Sequence, residues 1–163
     1  MSSDAGIFFW RSDEQLVLFV SGRVTATEAY ALYHHLAQWL SAHQHARVFI
    51  DLDHTTYIDS TTIGTFIRLH KERLAAGGQL VLCNLSPVVR DIVTKTKLAG
   101  YFNIIEDDTL HAIEENYLEQ MSHAAGADLD SSFVLDAHND LCQVRPELTE
   151  KFEGLMRVLR QQS

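Results

Sequence analysis

Apolar and polar positions along this chain follow two alternating rhythms. Ile7-Phe8-Phe9-Trp10 and Leu16-Val17-Leu18-Phe19-Val20 are apolar runs, separated by the polar turn Arg11-Ser12-Asp13-Glu14. Run, turn and run predict a strand hairpin. Ser21-Gly22 is expected to break the second strand. Thr25-Ala26-Thr27-Glu28 has capping-box spacing, with Thr25 as N-cap and Glu28 three residues on. The rhythm then becomes helical: Ala29, Leu32, Tyr33, Leu36 and Leu40 fall on one face, and the pattern fades near Ser41.

Arg47-Val48-Phe49-Ile50-Asp51-Leu52 predicts the next strand, and its unbroken apolar centre places it in the middle of a sheet. A short loop is expected after it. A helix from Ser60 to Ala76 would put Ile63, Phe66, Ile67, His70 and Leu74 on one stripe, with Gly77-Gly78 supplying a left-handed stop. Gln79–Asn84 reads as a strand. Ser86-Pro87 opens a helix to Thr96 that is expected to bury Val88, Val89, Ile92 and Val93. A short strand near Asn103–Ile105 follows. Asp107 and Asp108 then favour a helix start, with the helix running to Met121.

Strands alternating with helices, after an antiparallel hairpin, predict an α/β domain. Its core is a mixed four- to five-stranded sheet layered with helices, over residues 7–121. Residues 122–129 are small, polar and aperiodic, and read as a linker. Over residues 130–163, Val134, Ala137, Leu141 and Val144 form one narrow stripe. Leu148, Phe152, Leu155 and Leu159 form another, and Arg145-Pro146 separates the two. These predict a helical hairpin, docked on the first domain or, as a homodimer contact, on a second chain.

Composition narrows the function. The chain has 163 residues, 46% of them hydrophobic and 21% charged, with a net charge of -9. That charge disfavours a general nucleic-acid or anionic-membrane binder. Cys83 and Cys142 match no metal or redox spacing, which with the absence of a disulfide framework suggests a reducing cytoplasm. The N-terminus lacks a basic region followed by an apolar one, and no apolar run approaches bilayer length, so a cytoplasmic protein without membrane insertion is expected.

The chemistry concentrates at Asp59-Ser60-Thr61-Thr62. Taken alone, Asp59 or Ser60 is a helix cap. A serine there is also a good phosphate acceptor, because the phosphate would meet free N–H groups and the positive end of the dipole. Its added charge would repel a partner docked over the site. His34-His35 and His43-Gln44-His45 have no carboxylate or cysteine set to complete a metal site. A hydrolase from Ser60, His54 and Asp59 can be written down, but the junction lacks the Gly-x-Ser-x-Gly elbow. Gly77-Gly78 follows a helix, the wrong side for a phosphate loop. Neither an enzyme nor a cofactor is expected.

Val48-Phe49-Ile50-Asp51-Leu52 followed by Tyr57-Ile58-Asp59-Ser60-Thr61-Thr62-Ile63-Gly64 resembles the signature of the STAS domain of bacterial anti-sigma factor antagonists. The resemblance continues through Ser21-Gly22-Arg23-Val24, Gly77–Leu82, Ser86-Pro87-Val88-Val89-Arg90, Leu98 and Tyr101-Phe102. It implies a STAS-like fold and a module that binds an anti-sigma factor serine kinase. Phosphorylation of Ser60 would break that complex and a phosphatase would restore it. The resemblance assigns Ser60 as phosphoacceptor, and Thr25, Asp59, Ser60, Thr61 and Thr62 to the partner surface. Thr62 stands where the family usually has glycine, and Thr25 where it often has aspartate. The rival expectation is a STAS subunit of a transporter or larger signalling complex that is never phosphorylated.

Overall fold

The computed structural model describes residues 6–112, 118–120 and 129–162. The sheet has six strands in the order β5-β4-β3-β2-β1-β6. They are β1 (Gly6–Arg11), β2 (Gln15–Val24), β3 (Arg47–Ile58), β4 (Gln79–Cys83), β5 (Asn103–Ile105) and β6 (Glu119–Gln120). β1 pairs antiparallel with β2 and with β6. β2, β3, β4 and β5 pair parallel in turn. The mixed sheet agrees with the alternation of strands and helices, and β3 is central, as its apolar run implied. The sixth strand exceeds the expected four or five. It arises where a helix to Met121 was expected: Asp108–Ala112 forms a 3-10 turn, and Glu119–Gln120 adds to the free edge of β1. Residues 113–117 and 121 of that expected helix lie outside the described residues.

Two strands differ from expectation for one reason. Ser21-Gly22 bends β2 without ending it; the register with β3 shifts between Phe19 and Ser21 and again between Gly22 and Arg23. β3 correspondingly continues through the expected loop to Ile58, which pairs with Val24. Inside this polar extension, Thr55 is buried, and its hydroxyl donates to the carbonyl of Val20 at 2.8 Å.

The helices are α1 (Ala26–Ala42), α2 (Ser60–Ala75), α3 (Pro87–Lys95), α4 (Ser131–Val144) and α5 (Thr149–Gln162). Alternate strand residues Ile7, Phe9, Leu16, Leu18, Val48, Ile50, Leu80 and Leu82 share one core with Leu32 and Leu36 of α1 and Ile63, Phe66 and Ile67 of α2. The period of two along the strands thus meets the 3.6-residue period of the helices. Gly77, at φ +81, turns the chain out of α2 where a side chain would be strained. Leu74 and Val88 were expected inside but are 55% and 43% exposed. Each sits one step off the buried face of its helix. The histidine pairs of α1 pack as rings: His35 against Phe9, His34 against Tyr30, and His43 stacked on Trp39.

His70 is buried on α2, edge-on to Tyr101 and Phe102, and its Nδ1 has no hydrogen-bond partner among the described residues. Burial pushes its imidazole below the ordinary 6.5. A folded pKa below the unfolded one means that the unfolded chain binds the extra proton first. The stability from neutral His70 is therefore full above 6.5 and is lost as pH falls towards the lowered value. Thermal melts across this window should fall less steeply for His70→Leu than for the parent chain. Parallel curves would assign the acid loss to other groups.

Candidate functional site

The carboxyl ends of the parallel strands carry three helix starts. Val24 and Ile58 are partners across β2 and β3, so the N-caps of α1 and α2 emerge side by side. At α1, the Glu28 carboxylate accepts from the Thr25 amide at 3.1 Å and from the Thr25 hydroxyl at 2.8 Å. At α2, Asp59 Oδ1 accepts from the Thr62 amide at 2.8 Å and the Thr62 hydroxyl at 2.7 Å. The Thr62 hydroxyl also approaches the Val24 carbonyl at 3.3 Å, and the Asp59 amide donates to that same carbonyl. At α3, the Ser86 hydroxyl donates to the Thr55 carbonyl at 2.6 Å and accepts from the Val89 amide. Strand ends and helix starts are thereby tied into one rigid platform.

Asp59 is the cap, which leaves Ser60, the first residue of the helix, with its hydroxyl free for another partner. That partner is on α4. Ser60 Oγ lies 2.9 Å from His138 Nε2. His138 Nδ1 is 2.8 Å from the Val134 carbonyl, which can only accept, so Nδ1 carries a hydrogen. In the neutral ring Nε2 is then bare, and the Ser60 hydroxyl donates to it. His138 is 1% exposed and meets the Phe152 ring of α5 edge-on.

The contact is reinforced along α2. Any side chain at Gly64 would begin 2.1 Å from the carbonyl oxygen of Ala137, so the absence of a Cβ lets α4 come down onto the α2 backbone. Phe133 packs edge-on against Tyr30 and lies beside Tyr33. Leu141 joins the main core. At the rim, Lys71 pairs with Asp140 at 2.9 Å and with Gln143, and Arg68 reaches Asp136 at 3.7 Å. Exposed pairs of this kind contribute about 0–1 kcal/mol each, so the buried apolar stripe carries the docking. Tyr33 donates to Glu72 at 2.6 Å, and burial with that neighbouring carboxylate pushes its phenol up to about 12.

The candidate residues from the sequence fall into two groups. Thr25, Asp59 and Ser60 are half-buried at the edge of the platform. Thr61 and Thr62 are buried, 4% and 0% exposed. The bulk of Thr62, in place of the usual glycine, is turned inward onto Asp59 and Val24 and does not stand out from the surface. Beside Ser60 lies a cavity of about 280 Å³, lined among others by Tyr57, Ile92, Leu141, Lys151 and Phe152. The Arg23 guanidinium stacks on Tyr57 at 4.0 Å, adding a cation to the same edge.

Sequence patterning missed His138, Lys151 and Phe152 as neighbours of Ser60. Ala137, Leu141, Val144, Leu148, Phe152 and Leu159 face inward as expected, but Val134 and Leu155 do not. Phe133, not Val134, leads the buried face of α4, and Leu155 is 43% exposed while Met156 and Leu159 point inward. Cys83 is an inert thiol: burial first, and then nearby carboxylates, push it up to about 12.

A mixed sheet with three helix N-termini on one rigid edge, and Ser60 half-buried at one of them, defines a compact α/β domain. A STAS domain family model matches residues 11–111, and the chain belongs to the STAS domain family. Three solved structures share its fold. One is the anti-sigma factor antagonist SpoIIAA in its unphosphorylated form, at 17% identity and TM-score 0.58, covering 67% of this chain and 93% of that one. Another is the Bacillus cell fate determinant SpoIIAA in the phosphorylated form, at 17% identity and TM-score 0.54, covering 67% and 96%. The third is an anti-sigma factor antagonist from Mycobacterium paratuberculosis, at 18% identity and TM-score 0.56, covering 69% and 97%. The family match ends before α4, so His138 and the rest of the α4–α5 pair lie outside it. Among the described residues, no helix is long and apolar enough to cross a membrane.

Proposed function

We propose that this chain is an anti-sigma factor antagonist of the cytoplasm, binding an anti-sigma factor serine kinase and released when Ser60 is phosphorylated. The observation that carries this reading is the position of Ser60. In a STAS domain, its hydroxyl is the first side chain of α2 and is left uncapped because Asp59 does the capping. The reaction is a phosphoryl transfer: Ser60 Oγ attacks the γ-phosphorus of ATP held by the kinase, the bond to ADP breaks, and the Oγ proton passes to a base. The phosphate would be favoured by the helix N-terminus and would add about -1.5 to -2 charges at the docking edge, beside Asp59. Thr25 and Asp59 would form the rest of the recognised surface, with Thr61 and Thr62 buried behind it, and a phosphatase would return Ser60 to its hydroxyl. Arg23 and Tyr57 extend that surface towards an acidic partner.

The test is capture of a serine kinase by the full chain, followed by ATP. Labelling should appear in the parent chain and vanish in Ser60→Ala. Equal labelling of both, or none of the parent, would reject the switch. The bond from Ser60 to His138 favours a second reading, a STAS subunit whose serine is structural and never phosphorylated. It requires that Ser60→Ala leave partner binding and signalling unchanged and that no kinase label the parent.

A further inference from the structure

We infer that α4 and α5 form an intramolecular mask over Ser60, and that a second protein reaches this serine only when the mask lifts. This rests, for its regulatory meaning, on the reading of Ser60 as the switch residue; the accessibility it asserts does not.

Three observations carry it. His138, itself buried, holds the only hydroxyl hydrogen Ser60 has. Thr61, the next residue of the same turn, is closed off from solvent. Gly64, one turn further along α2, is in backbone contact with Ala137, so α4 lies directly across the face that leads to Ser60.

The attachment also has the character of a docked element. The strands and first three helices form a continuous core, whereas among the residues of α4 and α5 only Leu141 joins that core as a fully buried member. The rest of the contact is the buried stripe of Phe133 and Ala137, the part-buried Val144, Leu148 and Phe152, and a polar rim of Lys71, Arg68, Asp136 and Asp140. Segments held by few buried apolar contacts open at lower free energy than the core they lie on. The open cleft of about 280 Å³ lined by Ser60, Leu141, Leu148 and Phe152 leaves the seam next to Ser60 incompletely packed. Lifting the pair would uncover the Ser60 hydroxyl, the α2 N-terminus and the groove over Gly64 together.

The test reads accessibility without any partner. In the full chain carrying Ser60→Cys and Cys142→Ser, position 60 reports mask opening, and Cys83, 0% exposed in β4, reports global unfolding. Both are followed with a small alkylating reagent under native conditions, under which the mask account expects position 60 to react slowly, but well ahead of Cys83. Adding Gly64→Ala should speed position 60 by about tenfold or more, the population change that ordinary overpacking strain produces, and leave Cys83 unchanged. Should Gly64→Ala fail to fold, Phe133→Ala is judged by the same ratio. Reaction of position 60 at the rate of a free thiol in the parent background would show that no mask exists. Position 60 and Cys83 reacting together in every variant would show that α4 and α5 are inseparable from the core. Either result overturns the inference. Because no kinase enters the experiment, failure here is distinct from failure of the phosphorylation reading.

Discussion

Replacing Asn84 by aspartate should destabilise the protein by about 3 kcal/mol at neutral pH, the scale of an uncompensated buried charge. Asn84 closes β4 at φ +54, a left-handed conformation that asparagine and aspartate both tolerate, so the backbone is not at issue. Its Nδ2 donates to Asp51 Oδ2 at 2.8 Å and to the Asp107 carbonyl, and its Oδ1 accepts from the Asp107 amide at 2.8 Å. Asp51 is 2% exposed. An aspartate at position 84 would keep the acceptor for Asp107 but turn the donor to Asp51 into a second carboxylate. Two adjacent carboxylates cannot both ionise cheaply, so the folded pKa of the pair rises. With a raised folded pKa, the cost is full at high pH and shrinks as pH falls towards the unfolded value of about 3.9. Urea unfolding of Asn84→Asp should therefore show a lowered midpoint that recovers partly on acidification. An unchanged midpoint at neutral pH would mean that this network does not hold the strand ends together.

The network matters because it fixes the platform from below. Asp51, Asn84 and Asp107 lock the middle of β3 to the end of β4 and the segment after β5. Val24, Thr55, Asp59 and Ser86 lock the adjoining helix starts. Ser60 then stands on a surface with little freedom of its own, and what varies is whether α4 covers it.

Much of this was legible in the residues. The capping pattern at Thr25 and Glu28, the proline after Ser86 and the glycine pair after α2 each act through neighbours a few positions away, so local rules suffice. The central place of β3 followed from an apolar run that needs cover on both faces. Other features depend on partners far along the chain. Residues 53–56 are polar and read as a loop, yet they extend β3 because the bent end of β2 offers them hydrogen bonds. β6 has two residues and no rhythm at all. The bond between Ser60 and His138 spans 78 positions and joins two helices whose apolar stripes gave no crossing point. The one local hint was Gly64, a glycine inside a helix. Such a residue costs about 1 kcal/mol relative to alanine and so implies a close approach.

The second large effect concerns Ser60 itself. In Ser60→Asp a permanent carboxylate replaces a hydroxyl at the proposed docking edge, next to Asp59. An uncompensated charge in a desolvated interface costs about 2 kcal/mol or more, which corresponds to a loss of affinity of about thirtyfold or more. Ser60→Ala carries no charge and loses the bond to His138, so it should bind at least as tightly as the parent. Gly64→Ala separates the two layers of control, because it lifts α4 without altering the serine. Calorimetric titration of the captured serine kinase with four full-length chains separates charge from access: parent, Ser60→Asp, Gly64→Ala, and Gly64→Ala with Ser60→Asp. The expected result is tighter binding by Gly64→Ala than by the parent, and a loss of about thirtyfold from Ser60→Asp in both backgrounds. Parent-like affinity in both chains that carry Ser60→Asp would contradict it.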